Sequence, residues 1–394
     1  MHIPKSESRG ERRIEGVTSL GELSRSLFDD ALVTCDDERE AAFWASARLL
    51  LILEDQEKEQ ALQAKKARRN SAACCFLPIG RHRRLPSGAI RALPPTSGSN
   101  DVHFSPRPLK PGDWVAIAAT SGAFSEERLR RGEAQLVARG YRVRRYLPEK
   151  PYRYFAGTDA ERLRSLEAAF ADPEVRAVFA ARGGYGATRL LDRLNWELLT
   201  RSGKPLVGFS DLTALHLGLF ARGVRSVHGP VVTRIGEEPP ESLERLFHLL
   251  ETDAPPPALP GRTLVAGEAE GPLVGGCLSL LVSLLGTPHF PRLEGSILFL
   301  EEVGEAPYRI DRMLTQLASA GALDGVAGLV LGEMTDCEGP RIRGVEVAEE
   351  ILATIGKPLI SQLPFGHGER NFALPHGSKA RIQGGSLHFL EGIW

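Results

Sequence analysis

Residues 204–215 read Lys204-Pro-Leu-Val-Gly-Phe-Ser-Asp-Leu-Thr-Ala-Leu215, an apolar run that ends at Ser210 and passes at once into a helical pattern. A serine at such a turn holds its hydroxyl above the edge of a sheet. There the free N–H groups of the helix N-terminus can stabilise an oxyanion. Only the first glycine of a G-x-S-x-G elbow is present, because Leu212 takes the second position. Taken alone, the pattern favours a simpler interpretation, in which Ser210 only caps the helix.

Strands and helices alternate on both sides of this stretch. The predicted strands are 114–119, 141–147, 177–180 and 204–209, and the predicted helices are 125–139, 159–171, 188–198 and 211–222. Such alternation implies right-handed crossovers and a mainly parallel sheet with helices on both faces. The predicted fold class is α/β, and ligands are expected at the carboxyl ends of the strands.

A proline-rich segment then interrupts the alternation. We interpret residues 239–264 as an interdomain linker between an α/β domain over 105–238, which carries Ser210, and a C-terminal domain of mixed sheet over 265–394. In this second domain the predicted helices are 276–285, 308–320 and 345–355, and the predicted strands are 296–300 and 326–331. Two further strands, 379–382 and 387–390, flank Gly384-Gly385 and predict a hairpin.

Residues 1–104 differ from the rest and are predicted to be an N-terminal extension, part helical or largely disordered. Helical patterning runs from Thr18 to Ala64, and residues 61–100 contain eight Lys or Arg, no acid and several prolines. This is linker composition. A solvated linker is favoured over a segment that binds RNA or an acidic partner, because no aromatic residues interleave the charges.

Composition narrows the class of protein. The chain has 394 residues, of which 42% are hydrophobic and 25% charged, and its 49 Lys and Arg nearly balance its 50 Asp and Glu. The chain is too long for one small disulfide-stabilised scaffold and too apolar for a disordered protein. It has no net positive charge that would attract nucleic acid or an anionic membrane. Small-molecule or peptide chemistry fits better.

Cysteine usage and the start of the chain favour a reducing compartment. The five cysteines form no CxxC pair, and the longest apolar stretch, residues 41–53, is too short for a membrane span. The first charged residues run into a polar segment where a secretory signal would need an apolar one. We therefore expect a cytoplasmic protein.

A serine needs a base to take its proton, and a neutral imidazole needs a carboxylate to fix its tautomer. Glu301 and Glu302 follow the predicted strand 296–300, and His367 lies in the glycine-flanked turn Pro364-Phe-Gly-His-Gly368. The order Ser, acid, His is one of those known for triads. Order alone is weak, since the chain has ten histidines. A salt-bridged surface acid and a turn histidine are the plain alternatives.

A glycine loop follows the strand 177–180 and reads Gly183-Gly184-Tyr185-Gly186. Its backbone N–H groups could approach an anion closely. No Lys-Ser or Lys-Thr follows, so it is not a P-loop. By itself the loop is equally well explained as a tight turn without a ligand.

Together these segments resemble the LD-carboxypeptidase family of serine peptidases, which includes muramoyltetrapeptide carboxypeptidases and the microcin-immunity peptidases. The resemblance covers about 109–393 and rests on motifs in a fixed order: Leu109-Lys-Pro-Gly-Asp113, Arg182-Gly-Gly-Tyr-Gly186, Gly208-Phe-Ser-Asp-Leu-Thr-Ala-Leu215, His228-Gly-Pro230, Gly275-Gly-Cys-Leu-Ser-Leu-Leu281, Leu298-Phe-Leu-Glu-Glu-Val-Gly-Glu305, Tyr308-Arg-Ile-Asp-Arg312 and Phe365-Gly-His-Gly368.

The resemblance implies a catalytic triad of Ser210, Glu301 and His367. Glu301 is preferred over Glu302 because the family's acid directly follows the apolar strand. It also implies an oxyanion hole made by the backbone N–H groups of Asp211 and Gly184, with Gly183 as the neighbouring option. The implied fold is an N-terminal α/β domain followed by a barrel-like C-terminal domain, with the triad spanning both.

Three further positions bear on the substrate. Arg182 could read the free carboxylate of a peptide, although an arginine can as easily clamp a loop. Cys277 stands where some members have Asn, and either lines the pocket or packs. The microcin-immunity members carry a lysine where this chain has Glu305, which would repel a nucleotidyl phosphate.

The predicted function is a serine carboxypeptidase that hydrolyses the L,D bond holding terminal D-alanine in murein tetrapeptides, as in peptidoglycan recycling. It needs no metal and no cofactor, and its partner is the murein peptide, with no nucleic acid and no membrane. The sequence leaves open whether the chain forms homodimers, as relatives do. The alternatives are a microcin-type peptidase acting on peptidyl nucleotides and a catalytically silent peptide-binding module.

Overall fold

The computed structural model describes residues 106–394, which build two β-sheets with helices packed against them. The predicted N-terminal extension, 1–104, lies outside the described residues. Within residues 106–394, every helix is too short or too polar to cross a membrane.

The first sheet has six strands in the order β12-β5-β4-β3-β1-β2. Its strands are β1 (Trp114–Ala118), β2 (Arg142–Tyr146), β3 (Val175–Ala180), β4 (Leu206–Gly208), β5 (Ser226–His228) and β12 (Leu374–His376). Strands β1 to β5 pair in parallel, which confirms the predicted mainly parallel sheet, although β5 is not among the predicted strands. Strand β12 comes from the C-terminal part of the chain and pairs antiparallel with β5 at the edge.

Capping side chains fix the starts of two of the helices beside this sheet. The helices beside the sheet are α1 (Glu126–Ala138), α2 (Asp159–Ala171), α3 (Trp196–Arg201), α4 (Thr213–Phe220), α5 (Val232–Ile235) and α6 (Pro240–Glu251). The Ser125 side chain caps α1, and Thr158 and Glu161 form a reciprocal capping box at the start of α2.

Several predicted segments differ in the structure, among them the helix 188–198 and the segment 239–264. The helix predicted over 188–198 is broken into a 3₁₀ turn, Ala187–Leu190, and the separate helix α3. The Asn195 side chain accepts a hydrogen bond from Leu198 N at 3.1 Å and so starts a new helix inside the predicted one. The segment 239–264 contains α6, whose Pro240 occupies the first turn, where a missing N–H costs nothing.

The second sheet has eight strands in the order β6-β14-β13-β8-β9-β10-β11-β7. They are β6 (Leu259–Pro260), β7 (Arg262–Val265), β8 (Ala269–Cys277), β9 (Ile297–Val303), β10 (Gly328–Thr335), β11 (Leu359–Ser361), β13 (Lys379–Gln383) and β14 (Ser386–Phe389). Strands β8 to β11 are parallel and the others antiparallel. The two edge strands, β6 and β7, are separated only by Gly261, so the sheet is nearly closed and the barrel-like prediction is confirmed.

The helices of the described residues that accompany the second sheet are α7 (Leu278–Leu284), α8 (Pro307–Ser319) and α9 (Gly344–Ala353). The largest buried apolar cluster contains residues of both sheets, such as Ala118 and Leu206 from the first and Leu300 and Leu329 from the second. Burial of apolar surface is the main favourable term in folding. This shared core therefore fixes the two sheets against each other and sets where side chains at their edges meet.

Candidate active site

Ser210 lies on a strained turn at the carboxyl end of β4. Its φ is +63°, which is rare for a residue other than glycine, and the preceding Phe209 is extended. The chain then makes a short 3₁₀ turn, Ser210–Leu212, and enters α4. This is the conformation expected of a nucleophile elbow, in which the turn lifts the serine hydroxyl clear of the strand.

The capping interpretation of Ser210 does not agree with this geometry. Phe209 and Leu212 occupy the cap positions of the two short helices, and neither helix has a side-chain cap in the described residues. The first glycine of the elbow, Gly208, is needed because a Cβ at this position would lie 2.8 Å from Leu212 Cγ. Leu212 therefore packs against Gly208 from the position that the second glycine holds in the G-x-S-x-G pattern.

Glu301 and His367 are joined directly. His367 Nδ1 donates a hydrogen bond to Glu301 Oε2 at 2.6 Å, with the Glu301 side chain fully buried and that of His367 only 16% exposed. Gly366 allows this approach, since its φ is +116° and a Cβ there would lie 2.9 Å from Glu301 Oε2. The bond leaves Nε2 as the acceptor nitrogen of a neutral imidazole.

Charge around His367 sets its proton affinity. Burial alone would lower its pKa, but the negative charge of Glu301 and the hydrogen bond to it, with a contribution from Glu302, raise the pKa above its ordinary value of 6.5. Arg234 acts in the opposite direction. The imidazole is therefore a stronger base than a free histidine side chain.

The histidine lies beside the elbow. The rings of Phe209 and His367 are 4.7 Å apart between centroids and inclined by 48°. Since Phe209 directly precedes Ser210, the structure brings the serine turn and the Glu301–His367 pair into one neighbourhood. No hydrogen bond joins Ser210 Oγ to His367 among residues 106–394.

The two neighbouring carboxylates face different groups. Glu302 accepts hydrogen bonds from Ser279 N at 2.6 Å and Val303 N at 2.9 Å, and from Cys277 Sγ at 3.2 Å. Burial raises the pKa of Glu302. Alternation along β9 thus directs Glu301 to the histidine and Glu302 to the start of α7.

The glycine loop packs directly on the elbow. A Cβ at Gly183 would lie 2.9 Å from Ser210 Cβ, and Gly184 has a φ of +99°. The buried Asp211 carboxylate accepts a hydrogen bond from Ala187 N at 2.7 Å and so ties the loop to the elbow. Within the described part of the chain, the amides of Asp211 and Gly184 donate to no backbone carbonyl.

The two predicted substrate-binding residues have protein partners. Arg182 is exposed and donates from Nη1 to the carbonyl oxygen of Ala123. Cys277 is 3% exposed, its thiol contacts Glu302 and Ser279 Oγ, and its amide donates to Thr213 Oγ1 at 3.1 Å. Burial and the two nearby carboxylates hold the pKa of this thiol well above its usual range. Its observed surroundings are those of a packing residue that joins β8 to α4.

Sequence reasoning missed the groups that surround the histidine. Arg234, Glu238 and Asn371 bond to the loop 366–368 or to one another, and no spacing in the sequence marks them as a set. Within residues 106–394 three histidines, His216, His228 and His376, are buried behind the elbow; the ring of His216 stacks on that of His376 and is tilted against that of His228. Of these histidines, the sequence motifs include only His228. No cluster of three or more His, Cys, Asp or Glu in residues 106–394 is placed to hold a metal ion.

Two family models and several known proteins are similar in sequence to this chain. Sequence models of the LD-carboxypeptidase N-terminal and C-terminal domains match residues 115–229 and 270–382. A murein tetrapeptide carboxypeptidase of Pseudomonas aeruginosa is 37% identical over 70% of this chain and 94% of its own length. The microcin C7 self-immunity protein of Escherichia coli is 26% identical over 70% of this chain and 92% of its own.

A solved structure agrees with these sequence matches. The crystal structure of muramoyltetrapeptide carboxypeptidase from Oxalobacter formigenes superposes with a TM-score of 0.64 at 32% identity, covering 70% of this chain and 97% of that one.

Proposed function

The chain belongs to the LD-carboxypeptidase family of serine peptidases, which are hydrolases, and on that premise we propose that it removes terminal D-alanine from the L,D bond of murein tetrapeptides. The hydrogen bond between Glu301 and His367 beside the Ser210 elbow carries this proposal. The names of the Pseudomonas and Oxalobacter proteins support the choice of substrate.

In the proposed mechanism Ser210 Oγ attacks the scissile carbonyl carbon. His367 Nε2 takes the hydroxyl proton and returns it to the leaving amine of D-alanine, while Glu301 holds the imidazole and stabilises its positive charge. Water, activated by the same histidine, then hydrolyses the acyl-enzyme. All proton transfers use side chains of this chain, and the two residues bonded at 2.6 Å act as base and orienting group.

The proposed oxyanion hole consists of the amides of Asp211 and Gly184. Support comes from Asp211 directly following Ser210, from the packing of Gly183, the residue before Gly184, against Ser210, and from the absence of a backbone acceptor for either amide in the described residues. Removal of one such donor in a serine hydrolase costs roughly 100- to 1000-fold in rate. The Asp211 carboxylate binds Ala187 N and is not part of the proposed oxyanion hole.

Arg182 is the proposed reader of the substrate's terminal carboxylate. Its guanidinium has five N–H donors, and the bond to Ala123 uses one of them. We further propose that the enzyme works in the cytoplasm on recycled murein peptides, with residues 105–238 supplying the nucleophile and 265–394 the acid and the histidine. Cys277 is proposed to shape the pocket from behind rather than to bind substrate.

Cleavage of peptidyl nucleotides is the rival within the family, supported by the 26% identical microcin C7 self-immunity protein. Glu305 argues against it. Its carboxylate pairs with Arg309 at the end of β9 and places negative charge where a lysine is expected for a nucleotidyl phosphate.

Incubation of the full chain with murein tri-, tetra- and pentapeptides, followed by mass analysis, tests the proposal. We expect release of D-alanine from tetrapeptide only, and loss of that release in a folded Ser210→Ala variant. Cleavage of a peptidyl nucleotide in preference to tetrapeptide would establish the rival. A fluorophosphonate probe tests for a silent binding module, since that module would leave Ser210 unlabelled.

A further inference from the structure

The loop that carries His367 is held by an arginine from the first sheet's side of the molecule. Arg234, on the short helix α5, donates from Nη1 to the carbonyl oxygen of His367 at 3.4 Å and from Nη2 to that of Gly368. Helix α5 follows β5, and β5 pairs with β4, the strand that ends at the Ser210 elbow. The contact therefore links the histidine loop to the sheet that carries the serine.

Glu238 holds Arg234 in place and holds the loop as well. Its Oε1 accepts a hydrogen bond from Arg234 Nε at 2.9 Å, and its Oε2 accepts one from Asn371 N at 3.0 Å. The Asn371 side chain in turn accepts from Gly366 N at 3.2 Å. The bonds close a ring that runs through Arg234, Glu238, Asn371 and back to the loop.

The ring is built largely from buried groups. Glu238 is 7% exposed and Asn371 is not exposed at all. Hydrogen bonds to charged groups are about twice as strong as neutral ones, and a buried carboxylate that loses its partners is costly. The ring therefore resists displacement of the loop more than exposed surface bonds would.

We propose that Arg234, oriented by Glu238, is a positioning residue that sets His367 over Ser210. The proposal rests on the proposed function, because it assigns Arg234 a part in the same reaction. In the described residues the hydrogen bonds from Arg234 to the loop 366–368 all go to backbone carbonyls, so it acts through His367. A misplacement of about 1 Å in a catalytic group can cost roughly 100-fold in rate.

A positioning role of Arg234 can be distinguished from a role in fold stability alone, because its positive charge near the imidazole affects the pKa of His367. The charged or titratable groups around His367 include Glu301 and Glu302 on β9, Arg234 on α5 and His228 on β5. Glu333 on β10 lies against Gly368 of the same loop and interacts with Arg234. Arg234 lowers the pKa of His367, so its loss raises that pKa and moves the acidic limb of the rate profile to higher pH. A change that only lowered the folded fraction would not move this limb.

The test compares Arg234→Met, Arg234→Lys and Glu238→Gln with the parent enzyme on tetrapeptide, with rates normalised to fluorophosphonate-titrated sites. For Arg234→Met we expect kcat to fall about 100-fold with KM nearly unchanged and the acidic limb shifted upward. For Arg234→Lys we expect a smaller loss of kcat with the acidic limb unmoved, because the positive charge stays while the contact with two carbonyls is lost.

The matched control is Arg131→Met, which removes an exposed arginine bonded to Glu237 at 2.8 Å and should behave as the parent.

Parent values of kcat and an unmoved pH limb in Arg234→Met would overturn the proposal. If that variant does not fold, unchanged kcat in Arg234→Lys and Glu238→Gln would do the same. The proposed function fails separately, if the parent enzyme releases no D-alanine. In that case the rate of fluorophosphonate labelling of Ser210 gives the same comparison without the substrate, and an equal rate in all variants would still overturn the proposal.

Discussion

His367 Nδ1 and Glu301 Oε2 are 2.6 Å apart although the residues are 66 positions apart in the chain. The contact depends on Gly366, where a side chain would collide with the Glu301 carboxylate. It also depends on β9, a buried strand that holds Glu301 near its carboxyl end with no exposure to solvent. An acid that is shielded from water acts on the imidazole at low effective dielectric, which strengthens the interaction.

Replacement of Glu301 by glutamine should nearly abolish activity. The amide keeps the shape but removes the charge, so the imidazole loses its fixed tautomer and the pKa of His367 falls. In a serine protease triad the corresponding change costs about 10⁴-fold in kcat, and a similar loss is expected here. The measurement is kcat on tetrapeptide.

Glu302→Gln is the matched control, because Glu302 bonds to Ser279 N and not to the histidine. A much smaller loss is expected from it. An equal loss in both variants would mean that Glu301 has no special part.

The pH dependence of kcat/KM should show an acidic limb with a midpoint above 6.5. In the proposed mechanism His367 must be neutral to accept the serine proton, and the Glu301 and Glu302 carboxylates outweigh burial to raise its pKa. For the same reason the pair stabilises the fold fully below pH 6.5 and less as pH rises through the raised pKa. A profile of the free enzyme with its acidic midpoint at or below 6.5 would contradict the assignment.

Gly183→Ala should reduce kcat with little loss of stability elsewhere in the fold. The new Cβ would lie 2.9 Å from Ser210 Cβ and 3.1 Å from its hydroxyl oxygen, so either the elbow or the loop must move. Displacement of either disturbs the proposed oxyanion hole, and a loss of about 100-fold is expected. The control is Gly356→Ala, which meets nothing within 4 Å and carries only the strain of its positive φ. Equal kcat in both variants would show that the loop does not support the reaction.

Acid should destabilise the protein through the buried histidines. Burial lowers the pKa of His216 to about 4 and holds those of His228 and His376 well below 6.5. Because the unfolded chain binds these protons more readily, stability is full above pH 6.5 and is lost as pH falls toward 4. His216 alone accounts for about 3 kcal/mol over that interval.

Urea unfolding between pH 7 and pH 4 measures this effect. The imidazole nitrogens of His228 have no hydrogen-bond partner in the described residues, so His228→Leu removes a titrating group without leaving an orphaned partner. This variant should lose less stability than the parent between pH 6.5 and 4. An identical slope would show that His228 does not titrate with unfolding.

Strands β1 to β4 of the first sheet and the elbow could be predicted from sequence because their signals are local. The run before Ser210 is apolar, the helix after it follows at once, and Asp159–Ala171 has a capping box at its start. Strand β8 has no local sequence pattern of this kind. Its residues Gly275 and Gly276 are glycines because a Cβ would collide with Phe299 and Thr213, respectively. The need for those glycines comes from neighbours distant in sequence.

The site divides in the same way. A serine, an acid and a histidine could be proposed from motif order, but their meeting depends on the shared core of the two sheets. Arg234, Glu238 and Asn371 could not be found, because each is an ordinary polar residue until the fold places it at the loop 366–368. Their partners are mostly backbone atoms, which leave no mark in the sequence.

Arg182 has two interpretations that one experiment separates. If it reads the terminal carboxylate, then Arg182→Gln should weaken cleavage of tetrapeptide more than cleavage of the same peptide with a C-terminal amide. A hydrogen bond to a charged group is worth about 1.5 to 3 kcal/mol, which corresponds to about 10- to 100-fold in kcat/KM. If Arg182 only clamps the loop through Ala123, both substrates lose equally, because the clamp supports the site and not the carboxylate. The measured quantity is the ratio of kcat/KM for acid over amide. A fall of this ratio in the variant supports carboxylate recognition, and an unchanged ratio assigns Arg182 to the loop.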